Sequence, residues 1–180
     1  MSEDPKQPTG PDLRQGVDIG ELKNDMLLGH VGGEAVLVVR TVSGVFAIDA
    51  HCSHYHGPLA DGLVIDDAIR CPWHHACFDL RTGKANRAPA LSALAAWKVE
   101  QEDGRIVVHE KLPSAPRKPL IGEPRRIVIV GGGAAGFAAA EMLRREGFGG
   151  AVTMISAETA APVDRPNLSK DYMAGSAPDE

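Results

Sequence analysis

Two short pairs of cysteine and histidine constrain this chain more than any other feature. Cys52 and His54 form a Cys-x-His pair, and Cys71 and His74 form a Cys-x-x-His pair further along the chain. Two thiolates and two imidazoles, presented by two loops, can hold one inorganic centre. The interval between the pairs lets the chain leave as a strand, turn and return, so the second loop is expected to lie beside the first. The pairs therefore predict a metal centre between two neighbouring loops.

The order of these ligands favours iron–sulfur over zinc. In a [2Fe–2S] cluster with two histidine ligands, one iron takes both cysteines and the other takes both histidines, so each loop must supply one ligand to each iron. The alternative is a tetrahedral zinc site with the same four residues. The usual zinc-finger order, with both cysteines first and both histidines second, is absent. We therefore predict a [2Fe–2S] cluster, with a zinc-stabilised interaction domain as the weaker alternative.

The two loops resemble those of a known family. The segments CSHYHGPL and CPWHHACFDLRTG are similar to the cluster loops of soluble, ferredoxin-like Rieske domains. The resemblance covers roughly Val17 to Lys111. It implies a mainly β fold, an antiparallel β-sandwich with cluster-binding loops. It also places Pro89 in the family's third, proline-bearing loop, which covers the cluster.

Four positions separate this chain from the high-potential Rieske proteins of the cytochrome bc type. Those proteins bridge a further cysteine in each cluster loop, where this chain has His56 or Gly57 and Trp73. They also place a Ser and a Tyr hydroxyl near the cluster, at positions matching Ala76 and Phe78. Because hydrogen bonds to the cluster's sulfurs raise its potential, we expect a value toward the low end of the Rieske range, roughly −150 mV.

A second pattern begins near residue 125. Residues 125–130 predict a buried parallel strand, which a Gly-x-Gly-x-x-Gly segment follows at once. A helix over 137–146 and a second apolar strand over 151–155 complete a dinucleotide-binding βαβ unit. The alternative is a glycine-rich turn without a ligand. The residues predicted to bind the dinucleotide are Gly131, in the tight turn, Gly133, beside the pyrophosphate, Gly136, at the helix–strand contact, and Glu158, on a ribose hydroxyl.

The next segment indicates which dinucleotide this is. APVDRPNLSKDYMAG resembles a segment of FAD-dependent pyridine-nucleotide ferredoxin reductases and apoptosis-inducing-factor-like proteins, some of which carry an N-terminal Rieske domain. The resemblance implies that Arg165 and Lys170 contact the flavin cofactor, FAD, although Val163 stands where Tyr is common. We expect residues up to 180 to form the N-terminal, incomplete part of an FAD-binding domain, a truncated Rossmann-like α/β unit that does not retain FAD alone.

Composition and turn signals divide the chain into four parts. We predict a disordered leader over 1–14, the Rieske domain over 15–112, a Pro-rich linker over 113–124 and the partial FAD-binding domain over 125–180. Between turn signals such as Ser43-Gly44 and Asp103-Gly104, the second part carries short strand candidates. These are Met26–His30, Glu34–Thr41, Val45–Ile48, Gly62–Ile65, Ala68–Arg70, Trp97–Gln101 and Arg105–His109.

Charge and cysteine content narrow the function classes. The formal charge is −5, without a basic face for nucleic acid. The N-terminus lacks an apolar core, so we expect no signal peptide and no membrane span. Three cysteines, two of them assigned to the cluster, leave no disulfide framework, and a reducing cytoplasmic location is expected.

These observations support two functions. The first is one-electron transfer as the N-terminal part of an NAD(P)H- and FAD-dependent oxidoreductase, with a redox protein or an oxygenase component as partner. NAD(P)H would then act only through domains that these 180 residues lack, and the chain alone is not expected to be a complete enzyme. The alternative is a stand-alone Rieske ferredoxin with a non-functional flavin-domain remnant.

Overall fold

The computed structural model of the chain describes residues 9–113, 124–162 and 173–175. The chain divides into two units, Met1–Ala115 and Pro116–Glu180. Residues 1–8 of the predicted leader and residues 114–123 of the predicted linker lie outside the described residues. Among the described residues, no helix is both long enough and apolar enough to cross a membrane.

The described residues of the first unit form ten strands in two antiparallel sheets. In chain order the strands are β1 (Val17–Asp18), β2 (Met26–Val31), β3 (Glu34–Thr41), β4 (Gly44–Asp49), β5 (Leu63–Ile65), β6 (Ala68–Arg70), β7 (Cys77–Asp79), β8 (Ala85–Arg87), β9 (Ala96–Glu102) and β10 (Arg105–Lys111). The larger sheet has the spatial order β1-β10-β9-β4-β3-β2, and the smaller has the order β5-β6-β7-β8. This mainly β architecture is the predicted one.

The larger sheet buries apolar side chains on both faces. Successive side chains of a strand point to opposite faces, and four consecutive residues of β3, Val36–Val39, are fully buried. Leu37 and Val39 pack in one core cluster with Ile69 and Phe78 of the smaller sheet. The other two residues of the run pack in a second cluster on the far face. The first cluster holds the two sheets together and also contains the predicted cysteine ligands.

The predicted disordered leader is wrong for residues 9–14. Leu13 is fully buried and belongs to the second core cluster. It begins a short 3-10 turn, Leu13–Gln15. Asp12 caps this turn, because its side chain accepts a hydrogen bond from the backbone N–H of Arg14. The backbone N–H of His30 in β2 also donates to the carbonyl of Pro11, at 3.0 Å. Polar composition alone predicted disorder, but burial of one leucine fixes the segment on the sheet.

In the second unit, residues 126–155 form a βαβ unit, as predicted. Its elements are β11 (Arg126–Val130), α1 (Ala134–Arg145) and β12 (Ala151–Ile155), and the two strands are parallel. The helix lies on the face that carries Ile129, because a Cβ at Gly136 of α1 would lie 3.3 Å from that side chain. On the opposite face, Val128, Val130 and Ile155 are exposed. The helix begins three residues before its predicted start.

Candidate metal centre

The two predicted ligand pairs lie on two loops with the same backbone hydrogen bonds. The first loop, residues 52–57, follows β4, and the second, residues 71–76, joins β6 to β7. In the first, the N–H of Cys52 donates to the carbonyl of Gly57 at 2.9 Å, and in the second, the N–H of Cys71 donates to that of Ala76 at 2.8 Å. The two cysteines therefore occupy equivalent places, each at the start of a closed turn.

Two histidines that are not predicted ligands shape both turns. The N–H of His56 donates to the carbonyl of Cys52 at 2.9 Å, and that of His75 donates to the carbonyl of Cys71 at 3.1 Å. Both residues have left-handed backbone angles, with φ of 55° and 60°, which is uncommon for a residue other than glycine. Their side chains are exposed. The sequence alone gives no signal of this conformation.

The two cysteine thiols are buried and lie beside each other. Cys52 is 1% exposed and Cys71 is 2% exposed. Burial raises the pKa of the Cys52 thiol, the backbone N–H of His54 opposes this, and the neighbouring Cys71 thiol raises the pKa further. Metal ligation requires both thiols as thiolates. A metal ion at this position would supply the positive charge that stabilises two buried, negatively charged thiolates.

The two imidazoles also lie beside each other. The rings of His54 and His74 meet edge to face, with centroids 5.1 Å apart and an interplanar angle of 84°. The Nδ1 atom of His54 is buried, whereas His74 is exposed. The four donors thus pair by type, sulfur with sulfur and nitrogen with nitrogen. Such pairing suits two irons, each with one pair of ligands, better than one tetrahedral zinc ion.

No group of three or more His, Cys, Asp or Glu side chains within residues 9–113, 124–162 and 173–175 is arranged to hold a single metal ion. A further cysteine, Cys77, lies in β7 and is buried.

A third loop, residues 88–95, packs against the first two. Ala90 and Leu94 belong to the same buried cluster as both cysteine ligands. The hydroxyl of Ser53, between the two predicted ligands of the first loop, donates to the carbonyl of Ser92 at 2.6 Å. The carboxylate of Asp49 accepts from the N–H of Ala95 at 2.8 Å. This loop contains Pro89, so the structure brings the predicted proline-bearing segment to the site.

The structure also shows the surroundings of the residues that stand where cytochrome bc-type proteins have the bridged cysteines and the two hydroxyl groups. A Cβ at Gly57 would lie 3.1 Å from the Trp73 ring and 2.8 Å from the sulfur of Cys71. Gly57, and not His56, is therefore the first-loop residue that faces Trp73, and a side chain there would displace a predicted ligand. Ala76 and Phe78 are fully buried beside the second loop.

The second unit brings the predicted glycines together at the start of α1. A Cβ at Gly136 would lie 1.9 Å from the carbonyl oxygen of Gly131, so the close contact of helix and strand requires glycine. Gly133 caps the helix, and a Cβ there would meet no atom within 4 Å, which leaves the helix N-terminus open. The N–H of Glu158 donates to the hydroxyl of Ser156 at 3.1 Å. Arg165 and Lys170 lie outside the described residues.

Comparisons with known proteins match both units. Residues 17–98 match the model of the Rieske [2Fe-2S] domain, and residues 125–180 match that of the pyridine nucleotide-disulphide oxidoreductases.

Two curated relatives cover different lengths of the chain. The chain is 33% identical over 154 residues to apoptosis-inducing factor 3 of Homo sapiens, which covers 78% of this chain and 26% of that protein. It is 37% identical over 89 residues to the 3-phenylpropionate/cinnamic acid dioxygenase ferredoxin subunit of Photorhabdus laumondii, covering 49% of this chain and 75% of that subunit. The chain thus spans about a quarter of the length of the first relative and most of the second.

One solved structure agrees in fold and in sequence. The ferredoxin of carbazole 1,9a-dioxygenase from Nocardioides aromaticivorans IC177 is 31% identical to the chain, with a TM-score of 0.50. The superposition covers 53% of this chain and 95% of that ferredoxin.

Proposed function

Because the chain belongs to the family of Rieske [2Fe–2S] domains, we propose that its first unit transfers single electrons through a cluster bound by the two loops. Cys52 and Cys71 bind one iron, and His54 and His74 bind the other. The observation that carries this assignment is the pairing of donors by type, with two buried thiols in contact and two imidazole rings 5.1 Å apart.

The chain's own residues surround this centre unequally. The cluster, when bound, supplies a one-electron oxidation and reduction. The cysteine side lies in the apolar core with Ala90 and Leu94, which excludes water from the sulfurs. The histidine side includes the exposed ring of His74. Electrons therefore enter and leave on the histidine side, where a partner can approach closely.

The second unit extends this proposal to a source of electrons. We infer that it is part of the FAD-binding region of an NAD(P)H-dependent oxidoreductase, with Gly131, Gly133, Gly136 and Glu158 on the ADP half of FAD. Arg165 and Lys170 are proposed to contact the flavin. Two findings support this: the family match over residues 125–180, and a relative whose alignment covers 78% of the chain and so extends into both units. Electrons would pass from NAD(P)H to FAD, to the cluster and then to an acceptor such as an oxygenase component.

A stand-alone ferredoxin is the second candidate. It is favoured by the relative whose name is a dioxygenase ferredoxin subunit, because 49% of the chain is enough to cover 75% of that protein. For either candidate, we propose a cytoplasmic location, since thiolate ligands persist in a reducing compartment.

Two experiments test these proposals. Protein purified without oxygen should be coloured and should contain two irons and no zinc, in line with the proposed [2Fe–2S] cluster; one zinc per chain and no colour would overturn the cluster assignment. In a large excess of FAD, which compensates for weak retention by the partial site, hydrogen exchange at residues 131–136 should fall, and Gly136→Val should abolish this protection. Absence of protection even in excess FAD, with an intact cluster, would favour the stand-alone ferredoxin.

A further inference from the structure

The outer face of the smaller sheet carries an unusual row of side chains beside the cluster loops. Arg70 in β6 lies opposite Cys77 in β7, and Cys77 lies opposite Arg87 in β8. Directly opposed residues of antiparallel strands share a face of the sheet. Arg70 therefore shares a face with Cys77. The pairing of β7 with β8 shifts register between Cys77 and Phe78, so that Arg87 pairs with Cys77, while Phe78 and Ala85 lie on the core side and Arg87 is exposed. The two arginines thus lie on either side of Cys77, two strand spacings or about 10 Å apart. We call Arg70 and Arg87 the arginine pair.

The arginine pair lies at the base of two of the three loops around the centre. Arg70 directly precedes Cys71, and Arg87 directly precedes the third loop, which begins at Ala88. Two exposed apolar side chains lie nearby in the fold: Leu63, which is opposite Arg70 in β5, and Trp73 in the second loop, which is 54% exposed. Exposed arginine and tryptophan are the residue types that contribute most to protein interfaces.

The arginine pair differs from every other arginine between residues 9 and 113. Neither Arg70 nor Arg87 makes an ion pair or a side-chain hydrogen bond with a described residue. The remaining four arginines of this range all donate within the chain: Arg14 to Asp12, Arg40 to Asp25, Arg81 to Asp67, and Arg105 to the carbonyls of Gln15 and Gly16.

We propose that the arginine pair binds carboxylates on an acidic surface of the protein that accepts electrons from the cluster. This inference rests on the proposed electron-transfer function, and it names the partner's chemistry. The second unit is proposed to belong to the electron donor within the same protein, so the separate partner is the acceptor. Guanidinium groups bind carboxylates in a fixed two-pronged geometry, and two such groups on one row fix an orientation as well as an attraction.

The net charge of the chain makes the proposal sharply testable. At a formal charge of −5 the whole chain repels an acidic protein, so whole-molecule electrostatics predict that added salt strengthens their association. Local attraction by the arginine pair predicts the opposite. The sign of the salt effect therefore separates the two accounts before any residue is changed.

The experiment uses the cluster-loaded chain with two haem proteins as probes, the acidic cytochrome b5 and the basic cytochrome c. Titration calorimetry gives the affinity of the oxidised proteins. Stopped-flow mixing gives the rate at which one electron passes from the reduced cluster to the ferric haem. We expect the affinity for cytochrome b5 and the rate of its reduction to fall as sodium chloride is raised.

Two double variants locate the effect. The R70Q/R87Q variant should lower both the affinity for cytochrome b5 and the low-salt rate about tenfold, and should remove most of their salt dependence. The K23Q/K98Q variant removes the same charge from the turn before β2 and from β9, and should change either value less than about twofold. The R70K/R87K variant keeps the charge and should retain most of the rate.

Three results would overturn the proposal. These are an affinity for cytochrome b5 that rises with salt, an unchanged affinity in R70Q/R87Q, and an equal loss in K23Q/K98Q. If R70Q/R87Q loses its cluster, the proposal is tested instead by the salt dependence of the unaltered chain and by the rate of the R70K/R87K variant. The visible absorption of each protein is recorded before mixing, so an absent cluster, which would refute the proposed function itself, is distinguished from a failed interaction.

Discussion

The two units differ in how completely they cover their apolar strands. In the first unit, Val36–Val39 of β3 are fully buried on both faces because a core cluster lies on each side of their sheet. In the second unit, Phe148 alone is buried among the described residues, and the apolar face of β11 and β12 opposite the helix is exposed. Both units have strands rich in valine and isoleucine. The difference teaches that apolar residues give a strand the tendency to be buried, but that burial of a given face requires another layer of secondary structure packed against it.

The largest expected difference between the units concerns the cluster. Cys71→Ser should abolish the cluster, since it removes a thiolate ligand, and should leave hydrogen exchange over residues 126–155 unchanged. Cys77→Ser is the matched control: it alters a buried cysteine of the neighbouring strand and should keep the visible spectrum. A coloured Cys71→Ser protein, or a colourless Cys77→Ser protein, would mean that the wrong cysteine has been assigned.

The converse change acts only on the second unit. In Gly136→Ala the new methyl group would clash with the carbonyl oxygen of Gly131, so helix and strand must separate. We expect faster hydrogen exchange in β11 and β12 and an unaltered cluster spectrum. Gly149→Ala places its methyl group in open space and serves as the control. Equal exchange rates in both variants would contradict the close packing of α1 on β11.

A matched pair of valine substitutions measures the difference in burial directly. Val38→Ala in β3 removes fully buried atoms and should lower the free energy of unfolding by about 2 kcal/mol. Val130→Ala in β11, where the side chain is 83% exposed, should change stability by less than about 0.5 kcal/mol.

The readout for this pair follows from the position of the tryptophans. Both, Trp73 and Trp97, lie in the first unit, so their fluorescence during urea unfolding reports on Val38→Ala. Hydrogen exchange of β11 and β12 reports on Val130→Ala. Similar losses in the two units would show that the face carrying Val130 is buried in solution.

The smallest expected effect concerns the link between the first and third loops. Ser53→Ala removes the hydrogen bond to the carbonyl of Ser92, at a cost of about 1 kcal/mol, and should loosen the third loop. The cluster should then bleach faster in the presence of an iron chelator. Ser43→Ala, on the turn between β3 and β4, is the control and should bleach at the rate of the unaltered chain. Equal bleaching in both variants would remove the proposed role of Ser53.

Much of the first unit could be predicted because its local signals agree. The predicted strand over 34–41 matches β3 residue for residue, and the turn at Ser43-Gly44 separates it from β4. Two strands near the centre, β7 and β8, were not predicted. Each has only three residues, too few to show an alternating pattern, although β5 and β6 are equally short and were predicted. The helix α1 was predicted to start late because Ala134-Ala135-Gly136 resembles the preceding loop, although it forms the first helical turn.

The candidate site also has features that the sequence could indicate and features that it could not. The four ligands could be proposed from the sequence because the chemistry of a cluster fixes residue types and spacing along the chain, and their assignment stays a prediction. The link from Ser53 to Ser92 could not, since it joins residues far apart in sequence. The arginine pair was also missed: nothing in the sequence shows that Arg70 and Arg87 lie on either side of Cys77, because that depends on the register of three strands.

Pulsed electron paramagnetic resonance of the reduced chain tests the central claim most directly. Histidine nitrogens bound to the cluster couple to its unpaired electron, whereas an all-cysteine cluster has none. We predict couplings to two ligand nitrogens, from His54 and His74, and the loss of one coupling or of the whole cluster in His54→Cys and His74→Cys. A reduced cluster without nitrogen couplings, or a chain that is silent and carries one zinc ion, would contradict the account.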